Sequence, residues 1–297
     1  NSIYLTTQYD YVSIYGCTFI QSNTQTNPGG ALYYCNPNGN IEVYMSGFFY
    51  CSSSQEASAI YFAGKENAAD GSQYANAGMF EYNCFNRCYG RGLGTVVVSS
   101  CHQCMFNTNM NIFSKPITDF DVGNSTIYFD VDELFLIYLN ITDSKMKESS
   151  GLFLHTQQGN ISYILVVGHE TRCVSAIDQC QDICIQGSNF VNITLLESYF
   201  YHGVFFSPNS EFCLINCYFG QIITEGGQVI IESPGYSTLI DCYFERDNEF
   251  VLGSFFSISC SVVSNIQTTF LSLTTVVPEC DINLDFGEQT YEPTISD

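Results

Sequence analysis

Leu214-Ile215-Asn216-Cys217-Tyr218-Phe219 and Leu239-Ile240-Asp241-Cys242-Tyr243-Phe244 are one phrase written twice, 25 residues apart. Each is a short apolar pair, a small polar residue, a cysteine, a tyrosine and a phenylalanine. Looser copies lie upstream: Ile14-Tyr15-Gly16-Cys17-Thr18-Phe19, Tyr44-Met45-Ser46-Gly47-Phe48-Phe49, Glu81-Tyr82-Asn83-Cys84-Phe85, Cys104-Met105-Phe106 and Leu195-Leu196-Glu197-Ser198-Tyr199-Phe200. Taking Phe19, Phe49, Phe85 and Phe106, and then Phe200, Phe219 and Phe244, as like positions, the steps within the two runs are 30, 36 and 21 and then 19 and 25 residues, an irregular unit of 19 to 36 residues. Internal repetition on this scale is the mark of a solenoid, a propeller or another stacked architecture.

A second phrase, one or two small residues and then a β-rich apolar pair, follows most copies of the first. It reads Gly29-Gly30-Ala31-Leu32-Tyr33, Ser58-Ala59-Ile60-Tyr61, Gly94-Thr95-Val96-Val97, Ser150-Gly151-Leu152-Phe153, Gly203-Val204-Phe205, Gly226-Gly227-Gln228-Val229-Ile230 and Gly253-Ser254-Phe255-Phe256. In Tyr11-Val12-Ser13-Ile14-Tyr15 and Asn40-Ile41-Glu42-Val43-Tyr44 one face is aliphatic and the other mixed polar and aromatic. That alternation is the two-residue period of a half-buried strand. No segment sustains a 3.6-residue period, so helix content is expected to be very low.

Short strands, uneven polar loops and a unit of about 25 residues fit an all-β fold, a parallel β-helix (solenoid) of about 9–11 irregular coils. Like positions then stack about 4.8 Å apart, with the Phe and Cys of the first phrase as interior ladders. Sandwiches and propellers also use many short strands, but blades are more regular and sandwiches seldom repeat one phrase on successive strands. The stretch Gly16-Cys17-Thr18-Phe19-Ile20-Gln21-Ser22-Asn23 followed by Gly29-Gly30-Ala31-Leu32-Tyr33 resembles the repeats of polymorphic outer-membrane proteins and related protist surface proteins. Those pair an F-x-x-N phrase with G-G-A-[ILV]. Phe19 to Asn23 is one residue longer than F-x-x-N, whereas Phe106 to Asn109 fits it. The resemblance implies membership of the right-handed, pectate-lyase-like parallel β-helix superfamily. That superfamily holds adhesins, surface antigens, tailspikes and polysaccharide lyases, so fold alone does not choose a function.

Residues 1–278 read as one β-helix domain and residues 279–297 as an acidic tail or strap. Residues 107–135, with Pro116 and clustered acids, are expected to leave the coil as an excursion. The chain opens at Asn1 without Met, which reads as a processed or excised start, and no apolar run approaches the ~18 residues of a membrane span. No amphipathic helix caps either end, so the ends are expected to meet neighbouring segments of a longer chain or copies of the same chain, end to end.

Acids number 30 and bases 8, a net charge of −22, which argues against nucleic acid or an anionic membrane surface as partner. Fifteen cysteines, together with sequons at Asn124, Asn140, Asn160 and Asn192, favour a secreted or cell-surface protein carrying N-linked glycans. Cys84, Cys88, Cys101 and Cys104 have the outline of a zinc knuckle, C-x3-C-x12-C-x2-C, but in an oxidising compartment they are disulfide candidates. Cys180 with Cys184 and Cys213 with Cys217 are candidate local pairs. Cys217 and Cys242 are placed on adjacent coils, as a disulfide or as a ladder of free thiols. No metal centre or other cofactor is expected. Weak calcium binding by Asp119 and Asp121, or by Asp130, Asp132 and Glu133, is the nearest alternative.

No catalytic constellation stands out. The lyases of this superfamily set acidic calcium ligands beside a catalytic Arg or Lys, and of the eight bases only Arg246, within Glu245-Arg246-Asp247-Asn248-Glu249, has acidic neighbours of that kind. The N-T-D, D-D, G-H-G and R-I-K phrases of the related galacturonan hydrolases are absent. The expected function is a structural or adhesive extracellular glycoprotein, a rigid rod within a surface protein or a filament. The alternative is a carbohydrate-active or carbohydrate-binding β-helix, which needs exposed aromatics at stacking distance on one face.

Overall fold

The computed structural model describes residues 2–64, 76–90, 93–107, 112–113, 125–142, 149–178, 180, 182–196, 203–207, 210–224, 231–245, 251–258 and 260–262. Every recorded strand pairing among them is parallel, and they contain no helix. The chain winds as a three-sided parallel β-solenoid. The first face begins with Tyr11–Tyr15, Asn40–Tyr44 and Ala77–Glu81 and continues through Asp182–Gln186 and Phe212–Ile215. The second begins with Thr18–Ile20, Gly47–Phe49 and Cys84–Asn86 and reaches Asn189–Leu195 and Tyr218–Thr224. The third begins with Ile3–Leu5, Leu32–Cys35 and Ile60–Ala63 and reaches Cys173–Ile177 and Gly203–Phe206.

Strand alternation decides which side chains enter the prism. In Tyr11–Tyr15, Val12 and Ile14 point in while Tyr11, Ser13 and Tyr15 point out. Register carries the pattern from coil to coil. One inward ladder of the first face runs Ile14, Val43, Phe80, Phe106, Leu136, Ile161, Ile185, Leu214, Leu239. All nine are buried in one continuous core. The matching ladder of the second face is aromatic at both ends. Phe19 stacks on Phe48 at 4.9 Å between ring centroids and Phe48 on Phe85 at 4.7 Å. Phe190 stacks on Phe219 at 5.3 Å and Phe219 on Phe244 at 4.8 Å.

Two assignments from the repeated phrase change. Phe48, not Phe49, continues the Phe19 ladder, because Thr18–Ile20 aligns with Gly47–Phe49 one residue earlier. Phe106 belongs to the first face, opposite Phe80 and Leu136, rather than to the Phe85 ladder. The expected excursion over residues 107–135 is also corrected in part. Residues 125–135 lie within the strand Ser125–Thr142, in register with Val96–Asn107 and Ser149–Thr171.

The corners are built from left-handed residues. Gly16, Met45, Tyr82, Tyr138, Tyr163, Gly187, Asn216 and Asp241 turn the chain from the first face to the second with φ between 49° and 60°. Gln21, Tyr50, Arg87, Gly168, Asn192 and Gln221 form the next such column, with φ from 50° to 75°. The corner amides stay in the ladder: Gly16 donates to the Tyr44 carbonyl at 3.0 Å and Asn216 to the Ile240 carbonyl at 2.9 Å. The residue after the corner is small and polar for a reason visible in its bonds. Ser46 and Ser188 donate their hydroxyls to the carbonyl two residues back, at 3.0 and 3.1 Å, and Cys217 and Cys242 donate their thiols likewise, each at 3.5 Å.

The second phrase also has a structural meaning. Gly30, Ser58 and Gly94 stack at the entry to the third face, where Gly30 donates to the Ala57 carbonyl and Ser58 to the Gly94 carbonyl. A Cβ on Gly30 would lie 2.1 Å from the Ser58 carbonyl oxygen and 2.4 Å from that of Ser52, so only glycine fits. Outside the third face, Tyr33, Ala57, Tyr61, Ala63 and Val97 form a second, smaller apolar cluster.

Candidate functional site

The outward side of the first face is where chemistry-bearing side chains gather. Small Ala77 lies beside the register of Asn40 and Gln103, and the dip it leaves is a shallow groove lined by Tyr11, Glu42, Met79, Gln103, Met105 and Phe135. Tyr11 is 58% exposed, Met105 44% and Phe135 42%, high values for large apolar groups. The Tyr11 hydroxyl donates to Glu42, and Gln103 Nε2 donates to Glu133 at 2.8 Å. The hydrogen bond to the Glu42 carboxylate, before all other causes, raises the Tyr11 pKa above its ordinary value.

Beside the groove, rings gather at the last outward position of the face and at the corner next to it. Tyr15 and Tyr44 stack at 5.4 Å, Tyr44 meets Tyr82 edge-on at 5.4 Å, and Tyr138 stacks on Tyr163 at 5.0 Å. Tyr15, Tyr82, Tyr138 and Tyr163 are all exposed. The aromatic surface required by the carbohydrate alternative therefore exists, on the face where strand alternation puts Tyr11 and Tyr15 outside.

Asp130, Asp132 and Glu133 lie along the shoulder between the third and first faces. Register places Asp130 between Ser99 and His155, and all three interact: Ser99 Oγ donates at 3.3 Å and His155 Nδ1 lies 3.3 Å away. Asp132 is held in the same way by His102 Nδ1 at 3.1 Å and Gln157 Nε2 at 3.1 Å. The carboxylate stands in the middle of each set. A hydrolytic triad needs the imidazole between the hydroxyl and the acid, so Ser99, Asp130 and His155 are wrongly ordered for one. Their geometry is that of bridges between coils. No group of three or more His, Cys, Asp or Glu among the described residues is placed to hold a metal ion. Asp119 and Asp121 lie outside the described residues.

The cysteines occupy several environments. Cys84 is disulfide-bonded, whereas Cys88, Cys101, Cys104, Cys180, Cys184, Cys213, Cys217 and Cys242 are thiols. The structure does not join Cys180 to Cys184 or Cys213 to Cys217. It stacks Cys184 directly on Cys213 at the surface of the first face, and Cys217 on Cys242 at the corner. Cys88 lies over Cys51 at the second corner. Burial pushes the Cys101 thiol up to about 12 and Cys180 up to about 11. Cys213 is pushed up to about 12 by burial and by its hydrogen bond with Cys184. Such thiols are poor nucleophiles. Cys242 is the exception, lowered by the hydrogen bond it shares with Cys217.

Among the sequons, Asn160 and Asn192 are exposed, Asn140 is buried at 7%, and Asn124 lies outside the described residues. Asn192 stands at a left-handed corner, φ 54°. Residues 279–297 and Arg246 also lie outside the described residues. No helix among the described residues is long and apolar enough to cross a membrane. No family model, curated protein or solved structure matches this chain.

Proposed function

We propose that this protein is an extracellular structural or adhesive glycoprotein, a rigid β-helical rod that forms part of a surface protein or a head-to-tail filament. The observation that carries the reading is the unbroken stack of coils. The inward ladder pairs residue to residue from Ile14 to Leu239, with the shifts of register at Ser99, Ser125, Ser149 and Ser233 falling outside it, and the corners repeat one backbone conformation. A body of this kind resists bending because each coil is hydrogen-bonded along its length to the next. Exposed Asn160 and Asn192 are available to carry glycans, and the −22 net charge suits a soluble exterior. Electron microscopy of the native protein at physiological ionic strength tests it. Fibres or uniform straight rods support the reading; flexible or globular particles overturn it.

A second reading, a carbohydrate-binding β-helix, is favoured by the cluster of Tyr15, Tyr44 and Tyr82 rings. A soluble oligosaccharide that protects those tyrosines from chemical modification would support it.

A further inference from the structure

We infer that the groove on the first face is a docking surface for an extended, arginine-rich segment of a partner protein. The inference deepens the adhesive reading and rests on it. Microscopy tests the rod independently, so either can fail alone.

Charge is the first argument. The outward positions of this face carry Glu42 and Glu133, with Asp130 and Asp132 on its shoulder and Glu211 further along the Glu133 column, and among the described residues they carry no Lys or Arg. The recorded side-chain partners of Glu42 and Glu133 are the neutral groups Tyr11 and Gln103, and those of the two aspartates are Ser99, Gln157 and the two histidines. No arginine or lysine of the described face answers this negative charge, which favours a cationic partner in both affinity and encounter rate.

The apolar walls are the second argument. Tyr11, Met79, Met105 and Phe135 offer two ring faces and two thioethers beside those carboxylates. A guanidinium is planar, weakly hydrated and able to stack on a ring while its N–H groups reach an acid. An ammonium gains less from the same wall because it is compact and strongly hydrated.

Spacing is the third. Glu42 and Glu133 lie three coils apart on this face, about 14 Å along the axis at the strand spacing. An extended chain covers about 13 Å in four residues, and residues four apart point to the same side. Glu211 extends the Glu133 column by three more coils, so arginines at every fourth position of an extended segment meet Glu42, Glu133 and Glu211 in turn.

The test is fluorescence anisotropy with a labelled nonapeptide carrying arginine at its first, fifth and ninth positions and serine or threonine between. The same peptide with lysine is the comparison. A face variant, Glu42→Gln with Glu133→Gln and Glu211→Gln, is set against a control of equal charge change away from the face, Glu56→Gln with Glu170→Gln and Glu245→Gln. We expect saturable binding of the arginine peptide and weaker binding of the lysine peptide. The face variant should lose at least tenfold in affinity and the control less than threefold. Met105→Ser with Phe135→Ser leaves the charge unchanged and should lose at least threefold, and it decides the matter if the triple variant does not fold. Equal losses in the two triple variants would reduce the binding to the general charge of the molecule and overturn the inference. So would absence of saturable binding, or an oligosaccharide held by this face in place of the peptide.

Discussion

At Gly16 the backbone turns from the first face to the second with φ at +60°, and a Cβ built there meets nothing within 4 Å. Gly16→Ala therefore isolates the conformational cost of a left-handed corner from any clash, and thermal or denaturant unfolding should show a loss of about 1–2 kcal/mol. Gly30→Ala is different in kind, because its Cβ is driven into two backbone carbonyls of the next coil. It should cost at least about 3 kcal/mol. Equal effects at the two sites would mean that the close approach at Gly30 is relieved by movement of the coil. His169 offers a test of another sort. It lies at 2% exposure, with Nε2 3.2 Å from the Ile141 carbonyl, and burial lowers its pKa to about 4, with that carbonyl pulling the other way. The unfolded chain takes up this proton near pH 6.5 and the folded chain near pH 4. The stability present above pH 6.5 is thus lost progressively as the pH falls to 4, by about 3 kcal/mol from this residue. Unfolding of His169→Gln across that window should show a shallower pH slope than wild type. Parallel slopes would mean that His169 is protonated in place.

The element scale shows what the repeated phrase encodes and what it leaves open. Alternation in Tyr11–Tyr15 and Asn40–Tyr44 places the inward and outward side chains correctly from sequence alone. It fails in Gly47–Phe49, where Phe48 and Phe49 are both buried, at 0% and 4%. The Phe49 ring lies over Gly47, 2.4 Å from where that residue's Cβ would stand, and so is shielded by the absence of a side chain. A period-two reading cannot choose between two buried neighbours, and the ladder is then misregistered by one. The cysteines were equally ambiguous. A thiol that serves as a corner hydrogen-bond donor and one poised for a disulfide look alike until register shows its neighbours. The candidate groove was legible only as a mixed polar and aromatic face, because its depth depends on Ala77 falling between larger residues of two coils distant in sequence. The stack through Phe48 is testable as a unit. Phe48→Ala should cost about 3–5 kcal/mol. A double-mutant cycle of Phe48→Leu and Phe85→Leu should give a coupling of about 0.5–1.5 kcal/mol, since the two rings are parallel within 6° at 4.7 Å. Additive losses would show that the rings merely fill space.

For the whole molecule the governing quantities are its net charge of −22 and its one-dimensional stacking. A solenoid cannot move its charges apart by rearranging long-range contacts, because each coil touches only the coils beside it. In-register stacking also brings the outward columns of neighbouring coils within about 5 Å of each other, well inside the Debye length of about 10 Å at 0.1 M salt. The recorded ion pairs among the described residues are His102 with Asp132 and His155 with Asp130, both partly exposed. Exposed pairs of this kind contribute little. Screening therefore weakens repulsion more than attraction, and the melting temperature should rise as sodium chloride is increased from about 0.02 to 0.5 M. The same titration with a neutral osmolyte separates screening from general exclusion effects, because an osmolyte leaves the Coulomb energy almost unchanged. A melting temperature that falls with salt would require an attractive charge network strong enough to outweigh the acidic surplus. That result would also remove the unbalanced negative face on which the arginine-rich partner depends.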